Sequence, residues 1–178
     1  MHAVIVKIAQ SLLAAGIKKG NGVLSMKQNT EFLRQAIELA YANCETGGRP
    51  FGAVLVKDGQ VIASGVNQIL TTNDPTAHAE LLAIRAASQK LQTANLEGCE
   101  VFASGHPCPM CMAAMRMAGV KAVTYAYSND DGSPFGLSTA AIYEDLAKPF
   151  AEQSMKISYV PVRLESRPDL YAYWKSLV

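Results

Sequence analysis

Two short strings carry the chemistry available to this chain: His78-Ala79-Glu80 and Pro107-Cys108-Pro109-Met110-Cys111. They offer one imidazole and two thiols as soft metal ligands, and one carboxylate that need not be a ligand. Three protein ligands on zinc leave a fourth position open for water, the catalytic arrangement, whereas closed structural sites use four. A fourth protein ligand would have to be His106. It stands two positions before Cys108 with a proline between, which is awkward for tetrahedral closure, so a loop or pocket role suits it better. Cys-x-x-Cys alone is also the spacing of a redox pair; the His-x-Glu upstream favours a metal.

His78 and Glu80 lie about 200° apart around a helix and would not ordinarily face one target. Both reach one point if they occupy the first turn and the metal sits off the helix N-terminus. Pro75 and Thr76 predict such a helix, running to about Leu91. Pro107 and Pro109 put Cys108 at the start of a second helix, reaching about Ala118, with Cys111 one turn along. The unpaired N–H groups and positive dipole ends of the two helices then favour thiolates and a bound hydroxide.

Periodicity supplies the remaining elements. Phe32, Leu33, Ala36, Ile37, Ala40 and Tyr41 recur at helical spacing after Asn29-Thr30, and Gly47-Gly48-Arg49-Pro50 ends that helix. Residues 52–56 and 61–66 read as strands joined by an Asp58-Gly59 hairpin. Residues 99–104, 121–127 and 158–162 read as further strands, and 138–146 and 168–176 as helices. The order predicts an α/β fold, a three-layer α/β/α sandwich around one mixed five-stranded sheet. Residues 1–25 read as an N-terminal extension, with Val4, Ile8 and Leu12 on one helical face and Met26 suited to be a start. Residues 26–178 read as one domain.

A chain of 178 residues can bury a core without disulfide staples. Of the four cysteines only 108 and 111 are spaced as a motif, and Cys44 and Cys99 read as buried thiols. A formal net charge of +1 and a pI near 7.7 weigh against a nucleic-acid partner, because domains that track phosphates usually exceed a pI of about 9. Lys7 interrupts the early apolar run and Lys18-Lys19 follow it, a poor match to a secretory signal. No run is long enough to span a bilayer. The expectation is a cytoplasmic protein with no membrane partner.

His-x-Glu followed by Pro-Cys-x-x-Cys is the pattern of the zinc nucleobase deaminases. The chain resembles the cytidine and deoxycytidylate deaminase superfamily, and within it the small zinc-dependent guanine deaminases of bacteria, from about Glu31 to Trp174. The resemblance is carried by Pro50-Phe51-Gly52-Ala53-Val54, Asn73-Asp74-Pro75-Thr76-Ala77-His78-Ala79-Glu80, Pro107 to Cys111, and Ile142-Tyr143 with Lys148-Pro149. It implies a cytidine deaminase-like fold, a homodimer, and one Zn2+ per chain on His78, Cys108 and Cys111. The implied reaction is hydrolytic deamination of a free purine, guanine to xanthine and ammonia, with hydroxide on zinc as nucleophile and Glu80 shuttling the proton. Asn67, after the second strand, and Asp131, after the fourth, would hold the purine; Asp130 is an equally available neighbour. Phe51 either stacks near the base or belongs to the core. The backbone N–H groups of Ala79 and Cys108 would meet the substrate or its developing charge. Two departures leave the substrate open: Gly105-His106 stands where the family commonly has Cys-Glu, which brings His106 to the pocket, and the tail after Tyr171 is short. Guanosine, another aminopurine or a triazine, cytosine, and tRNA adenosine remain as alternatives.

Overall fold

The computed structural model describes residues 25–178; the expected extension, Ser25 apart, lies outside the described residues. Helix α1 (Met26–Glu45) opens at Ser25. The Ser25 hydroxyl accepts from the Gln28 N–H, and the Gln28 side chain accepts from the Ser25 N–H. This capping box, rather than the apolar stripe, sets the start, so the helix begins before Asn29. Strands β1 (Gly52–Lys57) and β2 (Gln60–Val66) form the expected hairpin. Asp58 and Gly59 take φ of 50° and 74°, the left-handed pair that a tight primed turn needs.

β3 (Cys99–Gly105) pairs antiparallel with β1, and β4 (Ala122–Tyr127) pairs parallel with β3. The sheet is mixed, in the order β2-β1-β3-β4. Both faces of β1 are buried, so its side chains divide alternately between two cores. Ala53 and Leu55 join α3 (Ala79–Leu91) and α4 (Pro109–Met117) through Ala83, Cys111 and Met115. Val54 and Val56 join Phe32 and Leu39 of α1, with Phe102 of β3 between them. The three expected layers are present, with α1 on one face and the two motif-bearing helices on the other.

One-turn helices α2 (Ile69–Thr72) and α5 (Asn129–Gly132), a 3-10 turn at Ser133–Phe135, and α6 (Ala140–Leu146) are the other elements up to Leu146. The described residues through Tyr143 make one compact unit and Glu144–Val178 a second. The second holds a 3-10 turn at Phe150–Glu152 and α7 (Leu170–Lys175), capped by Asp169 accepting from the N–H groups of Tyr171 and Ala172.

The sheet has four strands, not five. Residues 158–162 form none: Pro161 has no N–H to give a ladder, and the Val162 N–H turns back across it to the Val160 carbonyl at 2.9 Å. Cys44 is exposed rather than buried, whereas Cys99 is buried as expected.

Candidate active site

His78 is the N-cap residue of α3 and Cys108 that of α4, both with extended backbones that throw their side chains off the helix ends. The first helix starts at Ala79 rather than at Pro75. Thr76 donates both its N–H and its hydroxyl to Asp74 Oδ1, at 2.8 and 2.7 Å, and this turn holds the chain outside the helix until His78. Pro109 at the first helical position then fixes Cys111 one turn beyond Cys108.

The two helix ends bring three ligand atoms together. His78 Nδ1 lies 3.5 Å from the sulfur of Cys108 and 3.6 Å from that of Cys111, and the sulfurs are 3.5 Å apart. A tetrahedral zinc with bonds of about 2.3 Å to sulfur and 2.0–2.1 Å to nitrogen would separate two sulfurs by about 3.8 Å, and sulfur from nitrogen by about 3.6 Å. The set fits zinc, and among the described residues it is the group of three such side chains that suits a metal. Its Cys-Cys-His chemistry also matches that ion.

The electrostatics follow from the crowding. The sulfurs share a hydrogen bond that, with help from His78, holds the Cys108 thiol down at about 4. The same bond and burial push Cys111 strongly up. Hydrogen bonding to Cys108 raises His78 above the usual imidazole range, against the opposing effect of burial. Zinc needs all three ligands deprotonated. Binding therefore displaces the Cys111 proton at mildly alkaline pH, and the His78 proton as well once the medium is more acidic than its raised pKa. Zinc affinity is expected to fall about tenfold for each unit by which the pH is lowered while Cys111 alone gives up a proton, and more steeply once His78 is protonated as well, read by competition with a chromophoric chelator. A pH-independent affinity would contradict this proton count.

Glu80 stands in the first turn of α3 and is 6% exposed. Burial raises its carboxyl above the ordinary range, reinforced by the Cys108 charge and opposed by its own backbone N–H. A buried carboxyl with a raised pKa beside a metal set has the properties of a proton carrier.

Gly65 of β2 lets α3 come this close. A Cβ there would run into the Ala79 carbonyl and lie 2.8 Å from Ala83 N, backbone that cannot step aside. Gly65→Ala is expected to destabilise the protein by about 1–3 kcal/mol, measured by denaturant unfolding, and to reduce activity by shifting the helix that carries Glu80.

The other candidates divide. A cavity of about 450 Å³ at the ends of β3 and β4 is lined by Phe51, Gly105, His106, Asn129, Asp131 and Leu137, among others. It gathers Phe51, His106 and Asp131; Asp131, not Asp130, faces it. Asn67, Ala79, Glu80 and the three metal-ligand residues His78, Cys108 and Cys111 are not in its lining. Asn67 is buried, its Oδ1 accepting from the Ile69 N–H while its own N–H binds the Phe51 carbonyl at 3.0 Å. Its Nδ2 has no partner among the described residues. Asp131 Oδ2 closes a capping box with the N–H and hydroxyl of Ser128, both at 2.8 Å, which lowers its pKa. One carboxylate oxygen is thus structural. Gly105 gives Phe51 its place, since a Cβ there would sit 2.9 Å from the ring.

Several supporting residues escape sequence reasoning. The buried Asn43 amide bridges the carbonyls of Arg49 and Asn67 at 2.7 and 2.9 Å, tying α1 to the residue that follows β2. The Asn129 side chain accepts from the Thr139 N–H and lies 3.4 Å from His106. The Tyr143 hydroxyl donates to the Pro107 carbonyl. Asn43 and Asn129 belong to no motif, and the string that holds Tyr143 gives it no role; their roles come from contacts distant in sequence.

Residues 26–127 match the family model for the cytidine and deoxycytidylate deaminase zinc-binding region. The chain is 41% identical to a guanine deaminase of Bacillus subtilis over 82% of its length and 92% of that protein. It is 33% identical to a tRNA-specific adenosine deaminase of Aquifex aeolicus over 82% and 93%. The X-ray structure of the Bacillus subtilis guanine deaminase superposes with a TM-score of 0.74 at 39% identity, covering 86% of this chain and 95% of that one. With the metal set geometrically assembled and the family matched across it, the chain belongs to the cytidine and deoxycytidylate deaminase family and is a zinc-dependent hydrolytic deaminase.

Proposed function

We propose that this enzyme deaminates a free aminopurine, with guanine as its first substrate, giving xanthine and ammonia. The observation that carries this choice is the 41% identity to a guanine deaminase, set against 33% to a tRNA deaminase over an equal share of the chain. The near-neutral charge agrees, since a tRNA substrate would call for basic surface.

His78, Cys108 and Cys111 would hold the zinc, which when bound lowers the pKa of a coordinated water toward about 7. Glu80 would receive the proton of the attacking water and deliver it to the ring nitrogen next to the amine-bearing carbon. After the new carbon–oxygen bond forms, Glu80 would take the second proton from the new hydroxyl and pass it to the amine, so that the carbonyl forms, the carbon–nitrogen bond breaks and ammonia leaves with one water consumed. Asn67 Nδ2 and Asp131 Oδ1 would grip the purine edge, a donor and an acceptor opposite complementary groups. His106 and Phe51 would flank the base, and the Ala79 N–H would face the developing charge. We further propose a homodimer working in the cytoplasm. No helix among the described residues is long and apolar enough to cross a membrane.

A second reading, tRNA adenosine deamination, has its support in the Aquifex aeolicus relative. Zinc-loaded protein offered guanine, guanosine, cytosine, adenosine and tRNA in parallel distinguishes the two. Ammonia from guanine is the expected result; inosine in tRNA with no ammonia from any free base would overturn the proposal.

A further inference from the structure

We propose that Tyr143 is a positioning residue for the metal centre, acting through the carbonyl that precedes the ligand Cys108. Its hydroxyl donates to the Pro107 oxygen at 2.6 Å, and His106 Nδ1 lies 3.0 Å from the same oxygen. Asn129 Nδ2 lies 3.4 Å from that same Nδ1, the longer of its two contacts, and in the tautomer with the proton on Nδ1 both lone pairs of the carbonyl are used. His106 is itself held between two rings. Tyr125 meets it edge-on at 4.7 Å and Tyr143 at 5.5 Å.

The consequence runs through a rigid unit. The Pro107 carbonyl and the Cys108 N–H belong to one planar trans peptide and point in opposite directions. Pinning the oxygen from one side therefore aims the N–H on the other. That N–H has no acceptor among the described residues, so it is free for a ligand. The same plane sets where Cys108 begins α4, and hence where its sulfur stands 3.5 Å from its two partners. The hydrogen bond of Tyr143 goes to the Pro107 carbonyl and not to a ligand atom; it fixes the peptide between the ligands and the strand.

Tyr143→Phe removes the hydroxyl and keeps the ring against His106. The role of Tyr143 rests on the proposed purine chemistry only for its kinetic readout. With guanine, kcat is expected to fall about 10–100-fold, in line with the loss of a supporting partner at a metal site, with KM within about twofold. In the cobalt-substituted protein the visible ligand-field and sulfur charge-transfer bands are expected to shift, and zinc affinity to weaken. If the wild type takes up the metal but releases ammonia from no base, the functional reading fails while the cobalt spectrum and zinc affinity still decide on Tyr143. Wild-type kcat with an unchanged cobalt spectrum overturns the proposal. So does a lowered melting temperature with normal kinetics and spectrum in the folded fraction, which would mark a purely structural contact. If the phenylalanine variant does not fold, Tyr143→Met, a pliable side chain that also lacks the hydroxyl, is read in the same way.

Discussion

Glu80→Gln is expected to leave a folded, zinc-loaded protein whose kcat falls by roughly 10²–10⁴-fold, the share of catalysis that a placed proton carrier supplies. Glutamine keeps the shape and can still accept a hydrogen bond, but it cannot take a proton from water and hand it to a ring nitrogen. Burial makes the same exchange favourable for stability. A carboxyl whose pKa is higher in the folded than in the unfolded chain binds more protons when folded, so it costs stability as pH rises from the unfolded value through the folded one. Without metal, the glutamine variant should therefore melt at a higher temperature than the wild type near neutrality, and the difference should close toward pH 4. Trading stability for activity in this way is usual at an active site. Activity close to wild type in E80Q would remove Glu80 from the mechanism.

Cys111→Ser has the second large effect. The ligand distances match zinc because two thiolates and one imidazole surround one point; a buried serine hydroxyl cannot replace a thiolate there. The variant is expected to purify with far less than one zinc per chain and to show no measurable deamination. Stability gives a separate readout. Zinc in thousandfold excess over its Kd stabilises a folded chain by about 4 kcal/mol. Adding zinc should raise the melting temperature of metal-stripped wild type by several degrees and leave that of C111S unmoved. A full zinc complement in C111S would show that another side chain completes the site.

These effects trace back to features of differing legibility. His78, Glu80, Cys108 and Cys111 could be read directly because each pair sits at one helix start, where the spacing alone decides direction. Proline at the second start made that reading firmer. The same local logic located the Asp58-Gly59 turn and the alternation that buries both faces of β1. It failed where a local signal competed with another: Pro75 suggested a helix start, yet the Asp74–Thr76 turn took precedence. It failed again at 158–162, where Pro161 outweighed an apolar run.

By itself, then, the sequence picked out the three side chains that could hold a metal, the carboxylate proposed as proton carrier and the layered α/β frame, because each depends on neighbours within a turn or a strand. Only the tertiary structure decided what surrounds them. It brought two helix ends thirty residues apart to within 3.6 Å. It committed one oxygen of Asp131 to Ser128 and left Asn67 Nδ2 without a partner among the described residues. It also set Tyr143 on the Pro107 carbonyl. Such contacts depend on how separate elements dock, and docking is fixed by shape and close approach, as at Gly65, rather than by any pattern along the chain.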